Sequence, residues 1–428
     1  MSQTCDDVES ALGARIAAVA RYAYERSPFY RAHFDAAGVR PEALRTVADI
    51  QRLPLTTKQD VAEQGARMWC VPQTEVLDVV TTSGTTGTPL LYPLTAGDIR
   101  RLGRSEQLSF ECAGITSRDT VLLAVTMDRC FMAGLAYFEG LKAIGATTVR
   151  VGSGSPAMLL SLMHRMSATA IVSVPSFLKR VAQYAVQQGM DLTGSTVRNL
   201  VCIGEPIREA DFTLTPLGRA VSDAWHAQLF STYAATELAS SLCECPAGRG
   251  GHMCPEVHYV EVLDEAGRHV RAGQVGEIVT TTLGVEAMPL LRYRTGDCSF
   301  LMEDTCPCGR RTPRIGPILH RKHQMLKLKG TTVYPSVIQK ALDSIAHVRD
   351  YVMVATSSSP LSDELEIILN VDDNASLDLI RERLRGEMKI LPTLRQGSPE
   401  EIESLRDPQN YRKKLTFIDR RPGTHHGG

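Results

Sequence analysis

Apolar residues recur at Leu12, Ile16, Val19, Ala20 and Ala23, the three-and-four spacing of one helix face. This spacing predicts a helix over 7–37, interrupted at Ser27-Pro28, where the proline ring removes a donor and restricts the residue before it. Leu53-Pro54-Leu55-Thr56-Thr57-Lys58 is a second break, with a short helix after it. The run 76–80 is short, apolar and β-branched and reads as a buried strand. Residues 94–114 read as a helix with Thr95 as its N-cap. From there strands at 121–126, 147–151, 170–174 and 200–203 alternate with helices at 133–144, 157–167 and 176–188. Strands spaced by helices of this length form a parallel sheet through βαβ crossovers. Ligands of such sheets sit beyond the strand carboxyl ends. Three turn-rich loops are therefore expected on one rim: the loop after 76–80, the Val174-Pro175-Ser176 corner and the Gly204-Glu205-Pro206 corner.

After about Thr232 the texture changes. Residues 258–264, 275–283 and 299–303 read as short antiparallel strands with Gly-rich turns between them. It changes again from Leu319. There 325–328 and 331–334 suggest a hairpin around Lys329-Gly330, followed by a helix at 335–345, strands at 349–355 and 364–371, and a helix at 376–389. The expected fold class is α/β. A large N-terminal domain, 1–319, carries a parallel βαβ sheet plus a β-rich subdomain, and a small α+β C-terminal domain spans 320–428.

Charge and cysteine usage narrow the function. A formal net charge of −1 on 428 residues lacks the basic excess of a nucleic-acid binder. No apolar run reaches the roughly eighteen residues of a membrane span. The first residues are acidic and carry no basic-then-apolar signal pattern, so the expected compartment is the cytoplasm. Eleven cysteines are then reduced thiols or metal ligands and not disulfides.

The richest candidate chemistry lies in Thr81–Pro89, where Ser83, Gly84, Thr85, Thr86, Gly87 and Thr88 form a hydroxyl-lined turn of little bulk. Such a turn can aim backbone N–H groups and hydroxyls at a row of phosphate oxygens. Downstream, Ser231-Thr232-Tyr233-Ala234-Ala235-Thr236-Glu237 presents a carboxylate that can share Mg²⁺ with phosphates. In Arg292-Tyr293-Arg294-Thr295-Gly296-Asp297 an aspartate after Thr-Gly can take two hydrogen bonds from a ribose diol. The two arginines can answer a carboxylate or phosphate.

In this order and spacing, Ser83-Gly84-Thr85-Thr86-Gly87, Tyr233-x-x-Thr236-Glu237 and Tyr293-Arg294-Thr295-Gly296-Asp297 resemble the motifs of the adenylate-forming enzymes. Pro54–Lys58 and Glu286-Ala287-Met288-Pro289 resemble those of the phenylacetate–CoA ligase branch. The resemblance runs from about Ser27 to Asp419. It implies an AMP-forming ligase that activates a small aromatic carboxylic acid with ATP and Mg²⁺ and passes the acyl group to coenzyme A, with a mobile small domain. Ser83 to Thr88 would wrap the phosphates. Gly204, Glu205 and Pro206 would line the adenine, with Tyr233 stacked nearby. Thr236 would meet the α-phosphate or the acyl carboxylate, Glu237 would bind Mg²⁺, and Asp297 would hold the ribose. Arg321 would sit at the hinge and Lys413 would serve adenylation, with Lys414 as the competing lysine. A homodimer is common in the branch.

Some positions depart from that pattern. Thr88 stands where Lys is usual, Ala234 where Gly is, His323-Gln324 where an acidic pair is, and Thr332 where Asn is. These departures keep two alternatives open, a non-CoA acyl acceptor and a catalytically silent nucleotide-binding scaffold. Separately, Cys245, His252, Cys306 and Cys308 form a Cys₃His set suited to a closed tetrahedral zinc site. Cys243 and Cys254 are the alternative ligands, and some members of the branch carry zinc at comparable positions.

Overall fold

The computed structural model describes residues 5–82, 90–328, 331–345, 347–359, 362–372, 376–387, 391–406 and 415–421. The chain forms two compact units, a first that reaches Ile318 and a second that begins at Leu319.

The first unit opens with α1 (Cys5–Arg26), α2 (Pro28–Ala36) and α3 (Lys58–Gln64), then β1 (Asp78–Thr81) and β2 (Leu91–Leu94). Ser27 breaks the first helix and caps the second, accepting the Tyr30 amide. The long helix α4 (Ala96–Cys112) starts in a capping box between Thr95 and Asp98. Next come β3 (Thr120–Ala124), α5 (Met132–Ile144), β4 (Thr147–Arg150), α6 (Pro156–Arg165), β5 (Ala170–Ser173), α7 (Pro175–Gln187), β6 (Asn199–Ile203), α8 (Pro216–Trp225), β7 (Gln228–Ala235) and β8 (Ser240–Cys243). The sheet order is β4-β3-β5-β6-β7-β8, parallel except for the last pair. The expected crossovers are present. β7 and β8 escape the apolar pattern because Ser, Thr and Ala dominate them.

One expectation is corrected. The strand before the hydroxyl-rich turn is not part of the parallel sheet. β1 pairs antiparallel with β2 as a separate hairpin, so Thr81 faces Leu91. The two other corners do lie at the carboxyl ends of β5 and β6.

Helix α5 packs closely on α4. A Cβ added at Gly140 would come within 2.5 Å of Glu106 Cβ, so only glycine allows this crossing. Beneath it, α4 meets β8 along a polar seam. Ser241 donates to Glu106 at 2.6 Å, and Ser105 and Ser240 hydroxyls lie 2.7 Å apart. His258 Nε2 accepts the Cys254 amide at 3.2 Å, and Nδ1 lies 3.0 Å from Ser240 Oγ. Burial holds this imidazole down at about 3, so it is neutral. Burial also pushes Glu106 up to about 7, against the pull of Ser241 and Arg101. The folded state thus keeps a proton that the unfolded chain sheds above about 4.5. The cost of charging this group is absent below 4.5 and complete above 7, roughly 3 kcal/mol. Glu106→Gln should therefore stabilise the protein at pH 8 by up to ~3 kcal/mol and change little at pH 4.5. Urea unfolding at the two pH values checks this, and equal increments at both would refute it.

The rest of the first unit is β9 (Gly251–His252), β10 (His258–Leu263), β11 (Val275–Thr282), β12 (Tyr293–Met302) and β13 (Arg314–Ile315). They form an antiparallel sheet in the order β10-β11-β12-β13-β9.

The second unit holds β14 (His320–Arg321), β15 (Leu326–Leu328), β16 (Thr331–Val333), α9 (Pro335–Asp343), β17 (Val348–Ser359), β18 (Ser362–Val371), α10 (Leu377–Glu387), β19 (Thr393–Gln396), α11 (Pro399–Arg406) and β20 (Phe417–Asp419). β17 and β18 form its central hairpin. Alternate residues face opposite sides, as the strand period requires. Tyr351 and Met353 pack with Ile338, Leu342, Ile380 and Leu384, whereas Val352 and Val354 pack with Ile402. Among the described residues, no helix is long and apolar enough to cross a membrane.

Candidate active site and metal centre

The first unit brings the Tyr233–Glu237 and Tyr293–Asp297 segments together. β7 delivers Tyr233 at its carboxyl end, and a single 3₁₀ turn, Thr236–Leu238, follows it and carries Glu237. Ala239 closes the turn with φ +46. Arg101, buried in α4, holds this shape: it donates to Ala239 O at 2.6 Å, to Leu283 O at 2.5 Å and to Val257 O. Burial lowers its guanidinium to about 10. The sequence gives no signal for this role, because all three acceptors are backbone carbonyls far along the chain.

Asp297 lies within β12 and not at the tip of a turn. Glu277 pairs with Cys298 and Val279 with Arg294, so Ile278 alone faces Thr295, Gly296 and Asp297. This is a β-bulge, which re-aims a side chain. Gly296 adopts φ +75 there, a conformation that favours glycine. Thr295 Oγ1 donates to Ile278 O at 2.8 Å, and the Gly296 amide donates to Glu277 at 3.2 Å. The bulge turns Asp297 toward Tyr233, whose hydroxyl donates to Asp297 Oδ2 at 3.0 Å.

Tyr293 lies near both Glu237 and Asp297. Burial pushes its phenol far above the ordinary range, and the negative charge of Glu237 is the next cause. Tyr92, on β2, is likewise raised by burial first and Glu237 second. The expectation that Arg292 and Arg294 are available for ligand anions is corrected. Arg292 grips buried Glu261 at 3.0 and 3.1 Å, and Arg294 pairs with Glu277 at 3.0 Å. Thr56, from the Pro54–Lys58 motif, braces the same strand: its amide donates to Arg292 O and its carbonyl accepts from Arg294 N.

Glu205 is also engaged. Its carboxylate accepts the Ser176 amide and hydroxyl, each at 2.8 Å, at the start of α7. It therefore ties the β5 corner to the β6 corner. Gly204 has φ +75. Ser83, Gly84, Thr85, Thr86, Gly87 and Thr88 lie outside the described residues, as do Lys413 and Lys414. The stems of the hydroxyl-rich turn are described: Thr82 N donates to Leu90 O at 3.1 Å, and Leu90 N donates to Thr82 Oγ1 at 3.2 Å. Arg321, in the second unit, ends β14 and starts a 3₁₀ turn, Lys322–Gln324.

A separate cluster joins Cys245, His252, Cys306 and Cys308. One potential ligand atom from each lies within 4.8 Å of all the others. Cys245 Sγ and Cys306 Sγ are 3.6 Å apart, as are Cys308 Sγ and His252 Nε2. A tetrahedron with 2.3 Å zinc–sulfur bonds has edges of about 3.8 Å, so the donors fit zinc. His252 Nδ1 lies 2.9 Å from Thr312 Oγ1, which leaves Nε2 to a metal. Burial, with Arg310 and Arg314 adding to it, keeps this imidazole neutral, down at about 4. Burial pushes the Cys245 thiol up to about 12, so a thiolate there calls for a cation. The alternative ligands sit elsewhere: Cys243 Sγ accepts from Thr232 Oγ1, and the Cys254 amide bonds His258.

A model of the AMP-binding enzyme family matches residues 21–287, more than half of the chain. The chain belongs to that family. This AMP-binding enzyme is 31% identical over 380 residues to the phenylacetate–coenzyme A ligase of Thermus thermophilus, covering 87% of the chain and 84% of the relative. It is 28% identical over 384 residues to the Escherichia coli protein of the same name, at 88% and 85% coverage. It sits in the phenylacetate–CoA ligase-like branch of the adenylate-forming enzymes. Among solved structures, 2-hydroxyisobutyryl-CoA ligase in the postadenylation state with 2-HIB-AMP has the same fold. The TM-score is 0.84 at 24% identity, covering 98% of this chain and 90% of that one. The same ligase with 2-HIB-AMP and CoA in the thioesterification state gives 0.72 at 25% identity, covering 98% and 91%.

Proposed function

We propose that this enzyme activates an aromatic carboxylic acid with MgATP to an acyl-adenylate and transfers the acyl group to coenzyme A. The chemistry needs no enzyme nucleophile. The substrate carboxylate attacks the α-phosphorus, the bond to the bridging oxygen breaks, and pyrophosphate leaves with the electron pair. The thiol then attacks the acyl carbon and AMP departs. The protein positions the reactants and neutralises charge.

The observation that carries this reading is the meeting of Tyr233, Asp297, Tyr293 and Glu237 from two distant segments. In it, Asp297 accepts the ribose hydroxyls while Tyr233 fixes its second oxygen. Glu237 holds Mg²⁺, which supplies charge neutralisation on the phosphates, and Thr236 meets the α-phosphate or acyl carboxylate. Ser83 to Thr88 wrap the phosphates, and the Gly204–Pro206 backbone lines the adenine. Residues 1–319 act as the adenylation domain. Residues 320–428 are a mobile lid that turns near Arg321 and carries Lys413 to the adenylation step. The names of the curated relatives support an aromatic acid. The reading includes a structural zinc on Cys245, His252, Cys306 and Cys308, a cytoplasmic location and a homodimer.

The test is direct. Purified protein, MgATP and a panel of aryl and arylacetic acids are expected to release pyrophosphate. Adding coenzyme A should then yield a thioester visible by mass spectrometry. Pyrophosphate without thioester would replace coenzyme A by another acceptor. No pyrophosphate from any acid would end the ligase reading.

A further inference from the structure

A cavity of about 400 Å³ lies at the carboxyl ends of β3 and β4, on the side of the parallel sheet away from β8. Thr126, Met127 and Asp128, which follow β3, form one wall. Arg150, Gly152 and Ser153, at the end of β4, form the other. The amides of Val151 and Gly152 both donate to Leu123 O, at 3.0 and 3.2 Å. The chain thus bends toward β3 as it leaves β4, and Gly152 takes φ +76 in doing so. The Thr126 and Ser153 hydroxyls lie 3.3 Å apart. The Arg150 guanidinium sits over the Phe138 ring of α5, 5.4 Å from its centroid, and no carboxylate pairs with it among the described residues. The first wall runs on to Cys130, whose carbonyl accepts the Thr81 amide at 3.0 Å. The cavity is therefore joined to the root of the hydroxyl-rich turn.

ATP does not account for this place, since under the reading above it occupies the rim at β6, β7 and β12. From β7 the cavity is three to four strand spacings away, about 14–19 Å. An arylacetic acid held at the end of β7 is too short to reach it. The pantetheine arm of coenzyme A has the backbone length of about four extended residues, roughly 14 Å, and its diphosphate adds to that reach. The lining suits the far end of such a molecule. Arg150 offers a guanidinium fork to a phosphate monoester, and the two hydroxyls add neutral donors. Asp128 on the same rim disfavours a bare polyanion. It suits a ligand that also brings a donor, as an adenine amino group does.

We propose that this cavity receives the 3′-phosphoadenosine end of coenzyme A, with Arg150 paired to the 3′-phosphate. The proposal rests on the reading that coenzyme A is the acyl acceptor. It makes Arg150 a substrate-binding residue outside the three motifs, one that selects between acceptors and takes no part in the chemistry.

Thioester kinetics on the full chain with coenzyme A and with dephospho-coenzyme A, which lacks only the 3′-phosphate, test this. Wild type is expected to show a KM about tenfold or more higher for the dephospho form. Arg150→Ala should raise the KM for coenzyme A to that level and leave the KM for the dephospho form where it was. Arg150→Lys, which keeps the charge and loses the fork, should fall between. Adenosine 3′,5′-bisphosphate should compete with coenzyme A in wild type and lose most of its inhibition in Arg150→Ala. Equal KM values for the two acceptors in wild type would overturn the proposal and leave the ligase reading intact. So would an Arg150→Ala effect of the same size on both acceptors. No thioester from either acceptor, with pyrophosphate still released, would remove the coenzyme A reading and the proposal with it.

Discussion

Glu237→Gln is expected to slow acid-dependent pyrophosphate release by about 10²–10³-fold, a transition-state loss of ~3–4 kcal/mol. The substitution keeps the shape of the side chain and an oxygen that can still accept from Tyr293. It removes the charge. Mg²⁺ binds through one or two carboxylates plus substrate phosphates, so an amide there leaves the metal held by phosphates alone. The fold should survive, because the turn is held from elsewhere. Arg101 grips the Ala239 carbonyl that follows, Leu238 is buried in the apolar cluster, and Glu237 itself is only half-buried. Stability should therefore change by less than ~1 kcal/mol, while the magnesium needed for half-maximal rate rises. Thioester formation from preformed acyl-adenylate, which has no pyrophosphate to neutralise, should be affected far less. A pyrophosphate rate within threefold of wild type at limiting magnesium would remove Glu237 from the metal site.

What the sequence showed and what it hid divide along physical lines. The crossovers from β3 to β6 were legible because their strands are continuous apolar runs, fully buried at Ala170–Ser173 for instance, with periodic helices between. The meeting of the Tyr233 and Asp297 segments was anticipated because both carry hydroxyl, small and carboxylate residues in short turns. The zinc candidates were legible because Cys and His are rare and few spacings serve a metal. β7 and β8 were not, since Gln228–Ala235 and Ser240–Cys243 bury small polar residues in place of aliphatic ones. The bulge at Thr295–Asp297 depends on register against β11, which no local pattern encodes. Arg292 and Arg294 read as ligand cations because their carboxylate partners, Glu261 and Glu277, lie 31 and 17 residues away. The tie from Glu205 to Ser176 was hidden for the same reason, its partner being 29 residues distant.

Cys306→Ser is expected to take bound zinc from about one per chain to near zero and to destabilise the first unit while sparing the chemistry. Cys245 and His252 lie on the segment that leaves β8 of the parallel sheet for edge strand β9 of the antiparallel sheet. Cys306 and Cys308 lie on the turn before β13, and Arg314 of β13 pairs with His252. A metal across these ligands cross-links the two sheets. Without it, Cys245 and Cys306 would be thiols in a pocket already shared with Cys112, held in place by weak contacts alone. Zinc-finger peptides gain roughly 10–16 kcal/mol from their metal. A preformed fold needs far less, and a contribution of about 3 kcal/mol would move the melting temperature by roughly 5 °C. Four protein ligands leave no open coordination position, so pyrophosphate release per folded molecule at 20–25 °C should stay within about twofold. Metal analysis of wild type and variant, paired with thermal melts and an active-site titration, reads all three quantities. Wild-type protein purified without metal, yet as stable as the zinc-supplemented sample, would make the cluster four thiol and imidazole groups that happen to meet.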